Sequence, residues 1–194
     1  MHKIYFATGN AHKLGEAGNI LGAIGYEVEH IDCDYPELQA DDLETISAYG
    51  AQWCAQKLDK PIMVDDSGIF IEALNGFPGP YSRYVEDHLG NQNVLKLMGG
   101  VANRKAVFRT VVGYCEPDGE PHTFTGEVEG TIAFEEQGMN GFGYDPIFLY
   151  NDRTFGELKD NEKNRISHRG NAMRKFASWL QGKRIRFQGH NPNR

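Results

Sequence analysis

Three segments of the sequence carry side chains that could do chemistry, and the first is residues 8–13 (TGNAHK). They separate an apolar run from an amphipathic stretch, so they should join a strand to the start of a helix. Backbone N–H groups at a helix start attract anions. Gly9 would let a ligand approach the backbone, and Lys13 would add a positive charge. The segment predicts a phosphate site, although an ordinary turn capped by Asn10 has the same composition.

The second segment is residues 65–68 (DDSG), which follow the apolar residues 61–64 (PIMV). We expect it at the carboxyl end of a strand, where ligands gather in α/β sheets. Side chains alternate in direction along an extended chain, so one of the two carboxylates should face a site. A carboxylate there can bind Mg²⁺ or accept a proton from water. Glu37 is a possible second metal ligand, and an acidic turn without function is the alternative.

The third segment combines residues 141–146 (GFGYDP) with a basic cluster near the start of the last helix. Phe142 lies between two glycines, which suits stacking on a flat base, and Asp145 could accept a hydrogen bond from that base. A basic helix face is usually only solvated. In an acidic chain, beside an aromatic loop, this cluster indicates a nucleotide site. The basic residues are Lys163, Arg165, His168 and Arg169.

The spacing of apolar residues predicts the elements that hold these segments. Strands are predicted at residues 3–7, 26–31 and 61–64, with a helix after each of the first two. The second helix would be capped by Asp41 or Asp42. Residues 106–114 and 123–133 alternate as strands around a Pro-Asp-Gly turn, which predicts an antiparallel hairpin. A last helix is predicted over residues 162–180, ending at Gly182. The order predicts an α/β domain with a mixed sheet.

Composition limits the possible partners. The 194 residues carry a net charge of −7, which argues against a nucleic-acid or basic membrane binder. No apolar run approaches the ~18 residues of a membrane helix. Three cysteines far apart in sequence, with no C-x-x-C pair, fit a reducing cytoplasm and argue against a cysteine-rich zinc site. We expect residues 1–182 to form one domain of two lobes sharing a sheet, and residues 183–194 to form a basic polar tail.

Six motifs together resemble the inosine triphosphatase family, the non-standard purine NTP pyrophosphatases. They are residues 8–13 (TGNxxK), 36–37 (PE), 65–68 (DDSG), 79–82 (GPYS), 141–146 (GFGYDP) and 162–169 (EKxxxSHR). Each motif is weak alone, but all six occur in the family's order and spacing. The chain departs from many bacterial relatives at Tyr49-Gly50-Ala51, where those relatives carry Glu-Asn-Ala. A glycine inside a helix costs ~1 kcal/mol, so Gly50 would mark close packing or a dimer contact.

The resemblance implies hydrolysis of ITP, dITP and XTP to the monophosphate and pyrophosphate, which clears deaminated purines from the nucleotide pool. It also implies Mg²⁺ dependence, a homodimer, and an elongated fold with a long curved mixed sheet and a cleft between two lobes. At matching positions, Thr8, Asn10 and Lys13 would hold the triphosphate. Glu37 and Asp66 would bind the metal, and Asp66 would be the general base.

The resemblance also implies how the base is recognised. Phe142 would stack on the purine, and Asp145, His168 and Arg169 would read its edge. Donors aimed at the six-position carbonyl of inosine or xanthine would face the amino group of adenine, a mismatch that can discriminate by ~10⁴. The other implied substrate-binding residues are Gly9, Ser67, Gly143, Tyr144 and Lys163.

Three other interpretations use the same residues. A nucleotide sensor without catalysis would keep the pocket, but it could lose the carboxylate that activates water. A single-stranded nucleic-acid binder could use Phe142 and the basic helix, but the net charge of −7 counts against it. The closest alternative is a related pyrophosphatase that prefers another modified base.

Overall fold

The computed structural model describes residues 2–188, with side chains through residue 183. Within this part of the chain the strands are β1 (His2–Ala7), β2 (Tyr26–Ile31), β3 (Ile62–Ile71), β4 (Lys105–Cys115), β5 (His122–Ile132), β6 (Phe148–Tyr150) and β7 (Arg153–Thr154). The helices are α1 (Ala11–Gly22), α2 (Leu43–Leu58), α3 (Ser82–His88), α4 (Gly90–Leu97), α5 (Asp160–Ile166) and α6 (His168–Gln188). None of these helices is long and apolar enough to cross a membrane.

All seven strands belong to one sheet in the order β2-β1-β3-β4-β5-β6-β7. β1 is parallel to both of its neighbours, whereas every pair from β3 to β7 is antiparallel. The predicted mixed sheet and the predicted hairpin, which is β4–β5, are therefore confirmed.

Three apolar clusters surround the sheet. One lies under α1 and α6 and includes Leu21, Met63 and Phe176. A second lies under α2 on the opposite face and includes Ile62 and Val64. The third lies toward the other end of the sheet; its members include Ile69, Phe108, Phe148 and Phe155. Since β3 runs from the first two clusters into the third, its polar residues 65–67 lie between two separately packed halves of one sheet.

β3 is longer than predicted. The acidic residues 65–68 do not end the strand, because pairing with β4 continues from Ile62 to Ile71. β1 is the strand that ends here: it pairs with β3 only at Ile62 and Met63. From Gly68 onward the loop after β3 covers the exposed edge, and a Cβ on Gly68 would lie only 2.2 Å from the carbonyl oxygen of Gly79. Residues 64–67 therefore form a short strand edge that no other described strand covers.

The last helix is interrupted, contrary to the prediction of one helix over residues 162–180. Ser167 is extended, with ψ of 151°, and separates α5 from α6. Its Oγ accepts a hydrogen bond from the backbone N–H of Gly170 at 3.0 Å, which is N-terminal capping of α6. The predicted end at Gly182 is also wrong, because α6 continues to Gln188. Residues 189–194 of the predicted tail lie outside the described residues.

Candidate active site

The predicted phosphate loop lies beside the uncovered edge of β3. Asn10 caps α1, since its Oδ1 accepts hydrogen bonds from the backbone N–H groups of His12 (2.9 Å) and Lys13 (3.4 Å). Its own N–H donates to Thr8 Oγ1 at 3.2 Å. A Cβ on Gly9 would meet no atom within 4 Å, so the space beside the loop is open. The turn capped by Asn10 is thus present, and it leaves open space at Gly9.

Asp65 joins two of the predicted segments to each other. Its carboxylate accepts from Lys13 Nζ at 2.8 Å and from Arg169 Nε at 2.9 Å. Arg169 also reaches Glu16 at 3.4 Å. Burial would raise the pKa of Asp65, but the charges of Lys13 and Arg169 outweigh it, so the pKa is lowered. Asp65 is therefore a buried permanent anion, for which sequence reasoning gave no role.

Ser67 lies on the same face of β3 as Asp65, because side chains two apart along a strand point the same way. Its Oγ is 2.7 Å from Thr110 Oγ1 and accepts from Arg169 Nη2 at 3.4 Å. We call this side of the strand the Asp65 face; it carries Lys13, Asp65, Ser67 and Arg169.

The aromatic loop also opens on the Asp65 face. Asp145 accepts from the backbone N–H of Phe142 at 2.9 Å and forms a buried ion pair with Lys163 at 2.5 Å. Lys163 Nζ lies 4.7 Å from the centre of the Phe142 ring, and Arg169 Cζ lies 5.5 Å from it. The ring keeps 42% of its surface exposed. An accessible aromatic ring beside two cations is the arrangement that the sequence predicted for stacking on a base.

The side chains of His168 and Tyr144 are both buried. His168 stacks on Phe108 with ring centres 4.5 Å apart. Burial and the nearby charges of Arg169, Lys163 and Lys13 lower its pKa well below the usual range, so the imidazole is neutral. Its buried Nδ1 has no hydrogen-bond partner in the described part of the protein. His168 therefore brings to the Asp65 face, next to Arg169, one buried ring nitrogen without a partner among the described residues.

Tyr144 supports the loop from the core. Its ring is buried in the cluster that contains Ile69, and its hydroxyl donates to the carbonyl of Ser82 at 2.7 Å. The side chain of Tyr144 thus packs in the core, and its predicted part in substrate binding stays a prediction. The neighbouring Gly143 is held by its carbonyl, which accepts from Asn91 Nδ2 at 2.9 Å.

Asp66 points to the opposite side of β3, which we call the Asp66 face. Ser47 on α2 donates to Asp66 Oδ2 at 2.9 Å. Burial, followed by the charge of Asp65, raises the pKa of Asp66 to about 6, and the nearby Glu37 carboxylate also raises it. Ser47 and Lys13 act in the lowering direction. The two predicted metal ligands, Glu37 and Asp66, are therefore close enough for the charge of one to act on the other. They are 29 positions apart in the sequence.

These two carboxylates fit one mode of Mg²⁺ binding. No group of three or more His, Cys, Asp or Glu side chains able to hold a metal ion occurs within the described residues. Mg²⁺ is often bound through one or two carboxylates together with substrate phosphate oxygens. Asp66 and Glu37 could supply the protein's part of such a set.

Two surface cavities lie away from the predicted site. One, of about 520 Å³, is lined by residues that include Glu44, Thr125 and Lys175. The other, of about 650 Å³, surrounds Arg104 and Phe134. Neither contains a predicted site residue.

The chain is similar in sequence and in fold to known proteins. Residues 4–179 match the model of the Ham1 family. This chain belongs to the Ham1 family. A dITP/XTP pyrophosphatase of Methanosarcina mazei is 61% identical over 94% of this chain and 99% of its own length. A dITP/XTP pyrophosphatase of Methanopyrus kandleri is 60% identical over 92% of this chain and 96% of its own length.

Solved structures of Ham1 proteins have the same fold. The Coxiella burnetii HAM1 protein superposes with a TM-score of 0.86 at 32% identity, covering 94% of this chain and all of its own. The Staphylococcus aureus Ham1 protein gives a TM-score of 0.84 at 34% identity, covering 93% of this chain and 99% of its own. The family and fold predicted from six short motifs are therefore confirmed.

Proposed function

We propose that this Ham1 family chain hydrolyses non-standard purine nucleoside triphosphates (ITP, dITP and XTP) to the monophosphate and pyrophosphate. The observation that carries the proposal is full-length similarity, at 60–61% identity, to relatives named dITP/XTP pyrophosphatase. The geometry supports it, because an exposed aromatic ring, paired cations and an unpaired carboxylate surround the uncovered edge of β3.

The proposed binding mode places the substrate along that edge, on the Asp65 face. The triphosphate lies against the start of α1, where Thr8, Asn10 and the Gly9 backbone face open space and Lys13 supplies charge. The purine stacks on Phe142, with Ser67 and Gly143 beside it. Binding by both ends of the substrate would hold the α-phosphorus at the uncovered strand edge, which Asp66 borders from the opposite face.

Asp66 is the proposed general base. With a pKa of about 6 it is ionised at neutral pH, yet it is basic enough to take a proton from water. The water oxygen attacks the α-phosphorus, its proton passes to Asp66, and the bond to the bridging oxygen breaks so that pyrophosphate leaves. Glu37 and Asp66 would hold Mg²⁺, which when bound neutralises charge on the phosphates.

Base choice would come from the buried polar groups behind Phe142. Lys163 and Arg169 can only donate, while Asp145 can accept. The neutral His168 brings one buried, unpartnered nitrogen. Donors directed at a six-position carbonyl favour inosine and xanthine, and they would leave the adenine amino group without an acceptor.

Pyrophosphate release with Mg²⁺ from ITP, XTP, dITP, ATP, GTP and CTP tests the proposal. We expect rapid release from the first three, with equimolar monophosphate and little turnover of the others. Orthophosphate as the product would place cleavage at the outer anhydride and contradict the mechanism. Tight ITP binding without turnover would instead support a sensor, and preference for another base would support the related pyrophosphatase.

Assembly and location are separate proposals. We propose a homodimer that works in the cytoplasm and binds neither nucleic acid nor membranes. The net charge of −7 and the three unpaired cysteines support this proposal. Light scattering during size-exclusion chromatography tests the dimer, and a mass of one chain would contradict it.

A further inference from the structure

The three cysteines, far apart in sequence, lie in one apolar cluster. Cys54 on α2 and Cys115 at the end of β4 are buried in it, and Cys33 packs against it from the segment between β2 and α2. Cys33 is also one of the neighbours that raise the pKa of the Cys54 thiol, after burial, so the two side chains adjoin within this cluster. Cys115 is committed elsewhere, since its thiol donates to the carbonyls of Glu116 and Gly119. The cluster therefore contains one cysteine pair and one separate cysteine.

The segment that carries Cys33 packs on the helix that carries Cys54. We call residues 32–42, which connect β2 to α2, the strap. Tyr35 packs on α2 at Gly50, where a Cβ would lie 2.8 Å from the ring of Tyr35. Gly50 and Cys54 are four residues apart, about one turn of the helix. Tyr35 therefore contacts α2 about one turn from Cys54, and Cys33 is two residues from Tyr35 in the strap.

The strap and α2 also connect this contact to the candidate metal site. Glu37 is two residues beyond Tyr35 in the strap. Ser47, about one turn before Gly50 on α2, donates to Asp66 at 2.9 Å. The charges of Asp66 and Glu37 both act on Tyr35, where they reinforce the effect of burial in raising its pKa. Cys33 is therefore four residues from Glu37 in the strap, with the α2-packed Tyr35 between them.

We propose that Cys33 and Cys54 form a thiol modification site, in which a low-molecular-weight disulfide oxidises the pair to an intramolecular disulfide that fastens the strap to α2. The formation of the bond depends only on the cysteine pair. Its effect on Glu37 rests on the proposed function, in which Glu37 binds Mg²⁺.

The chemistry proceeds by two exchanges. Cys33 is partly exposed, so its thiolate can attack oxidised glutathione, forming a mixed disulfide and releasing one glutathione. Cys54 then attacks the Cys33 sulfur, and its proton leaves with the second glutathione. Burial raises the pKa of the Cys54 thiol, so Cys54 is the slower, second reactant. The sulfurs must close to ~2 Å, and the irregular strap can supply that movement.

Thiol counting on the intact chain tests the bond. Reduced protein is treated with oxidised glutathione, then denatured and alkylated, and its mass is measured. We expect one remaining thiol of the three, no glutathione adduct, a peptide joining Cys33 to Cys54, and full reversal by dithiothreitol. Three alkylated thiols, a persistent adduct on Cys33, or a disulfide between two chains would overturn the proposal.

Two variants sharpen the test. Cys115→Ser keeps a donor for the two carbonyls and should still form the bond, leaving no free thiol after oxidation. Cys54→Ala should stop at a glutathione adduct on Cys33. If Cys54→Ala does not fold, the thiol count of the unmodified chain still decides the question.

Hydrogen exchange tests, independently of turnover, whether the disulfide fastens the strap to α2. Oxidation should slow the exchange of strap amides and leave exchange in the β4–β5 hairpin unchanged. Unchanged exchange in the strap would show that the disulfide does not fasten it. The Mg²⁺ concentration for half-maximal pyrophosphate release should fall a few-fold, because Glu37 is held in place beforehand. If no nucleotide is turned over, the proposed function fails while the thiol count and the exchange result still stand.

Discussion

The two faces of β3 place neighbouring carboxylates in opposite electrostatic settings. Asp65 lies between Lys13 and Arg169, and its pKa is lowered despite burial. Asp66, one residue later, has Ser47 as its hydrogen-bond donor and has Asp65 and Glu37 nearby, and its pKa rises to about 6. Residue type alone therefore does not assign the roles of Asp65 and Asp66. The Asp65 face holds charges in fixed pairs, and the Asp66 face keeps one carboxylate able to take a proton.

The largest expected effect is on the Asp66 face. Asp66→Asn keeps an acceptor for Ser47 but cannot take a proton from water, so kcat for ITP should fall by about 10³-fold or more. Nucleotide should still bind, as measured by calorimetry beside a pyrophosphate release assay. The control is Asp118→Asn at the exposed hairpin turn. Near-normal turnover of Asp66→Asn would remove Asp66 as the base.

The next largest effect is on stability, from the Asp65 face. Asp65→Asn leaves Lys13 and Arg169 without their shared carboxylate, and Arg169 is buried, so the free energy of unfolding should fall by about 3 kcal/mol at pH 7. Because the folded pKa of Asp65 is lowered, its contribution exists above the unfolded value of ~3.9 and is lost as pH falls. The difference from wild type in urea unfolding should therefore shrink at low pH.

A surface pair provides the control for that measurement. Asp87→Asn breaks the exposed ion pair with Arg83, which should change stability by less than about 1 kcal/mol. Equal losses in the two variants would show that the Asp65 pairs contribute no more than surface ion pairs do.

Phe142 tests whether the Asp65 face binds the base. Phe142→Ala removes the ring but keeps the backbone N–H that donates to Asp145, so KM for ITP should rise about tenfold while kcat changes little. The matched control is Phe134→Ala, because Phe134 is 85% exposed and lies outside the site. A loss confined to kcat would mean that the ring positions the reaction instead of binding the base.

The smallest expected effect has the opposite sign to that of Asp65. Since the folded pKa of Asp66 is raised, its contribution to stability is present below ~3.9 and is lost as pH rises through about 6. Asp66→Asn stays neutral, so in Mg²⁺-free buffer above pH 6 it should be more stable than wild type by the order of 1 kcal/mol. Below pH 4 the thermal unfolding curves of Asp66→Asn and wild type should coincide. A less stable variant at pH 8 would show that Asp66 is not strained by burial.

Local patterns predicted most elements of the fold, and long-range contacts explain the errors. Acidic residues are poor strand formers, so residues 65–68 looked like a strand end. Pairing with β4, more than 40 positions away, keeps them extended. The break between α5 and α6 was readable, because Ser167 directly before His168 is a typical N-terminal cap.

The sequence predicted the candidate site as three separate segments. It did not predict the ion pairs and hydrogen bonds that connect them. Lys13 and Arg169 reach Asp65 from 52 and 104 positions away. Alternation along β3 predicted that only one aspartate faces a given side, but not which cations would neutralise it. Ser47 carried no pattern of its own, and only packing of α2 against the sheet brings it to Asp66. Packing on Gly50 of α2 then places Tyr35, the strap residue two before Glu37, beside the same helix.

The uncovered edge of β3 has a consequence for self-association. An unpaired strand edge is a template on which another chain can add a strand and begin to aggregate. Here the gap spans only residues 64–67, since β1 closes one end and the loop through Gly79 closes the other. Charged side chains stand on both faces of it. The opening proposed to admit a nucleotide is therefore too short, and too closely flanked by charged side chains, to accept a foreign strand.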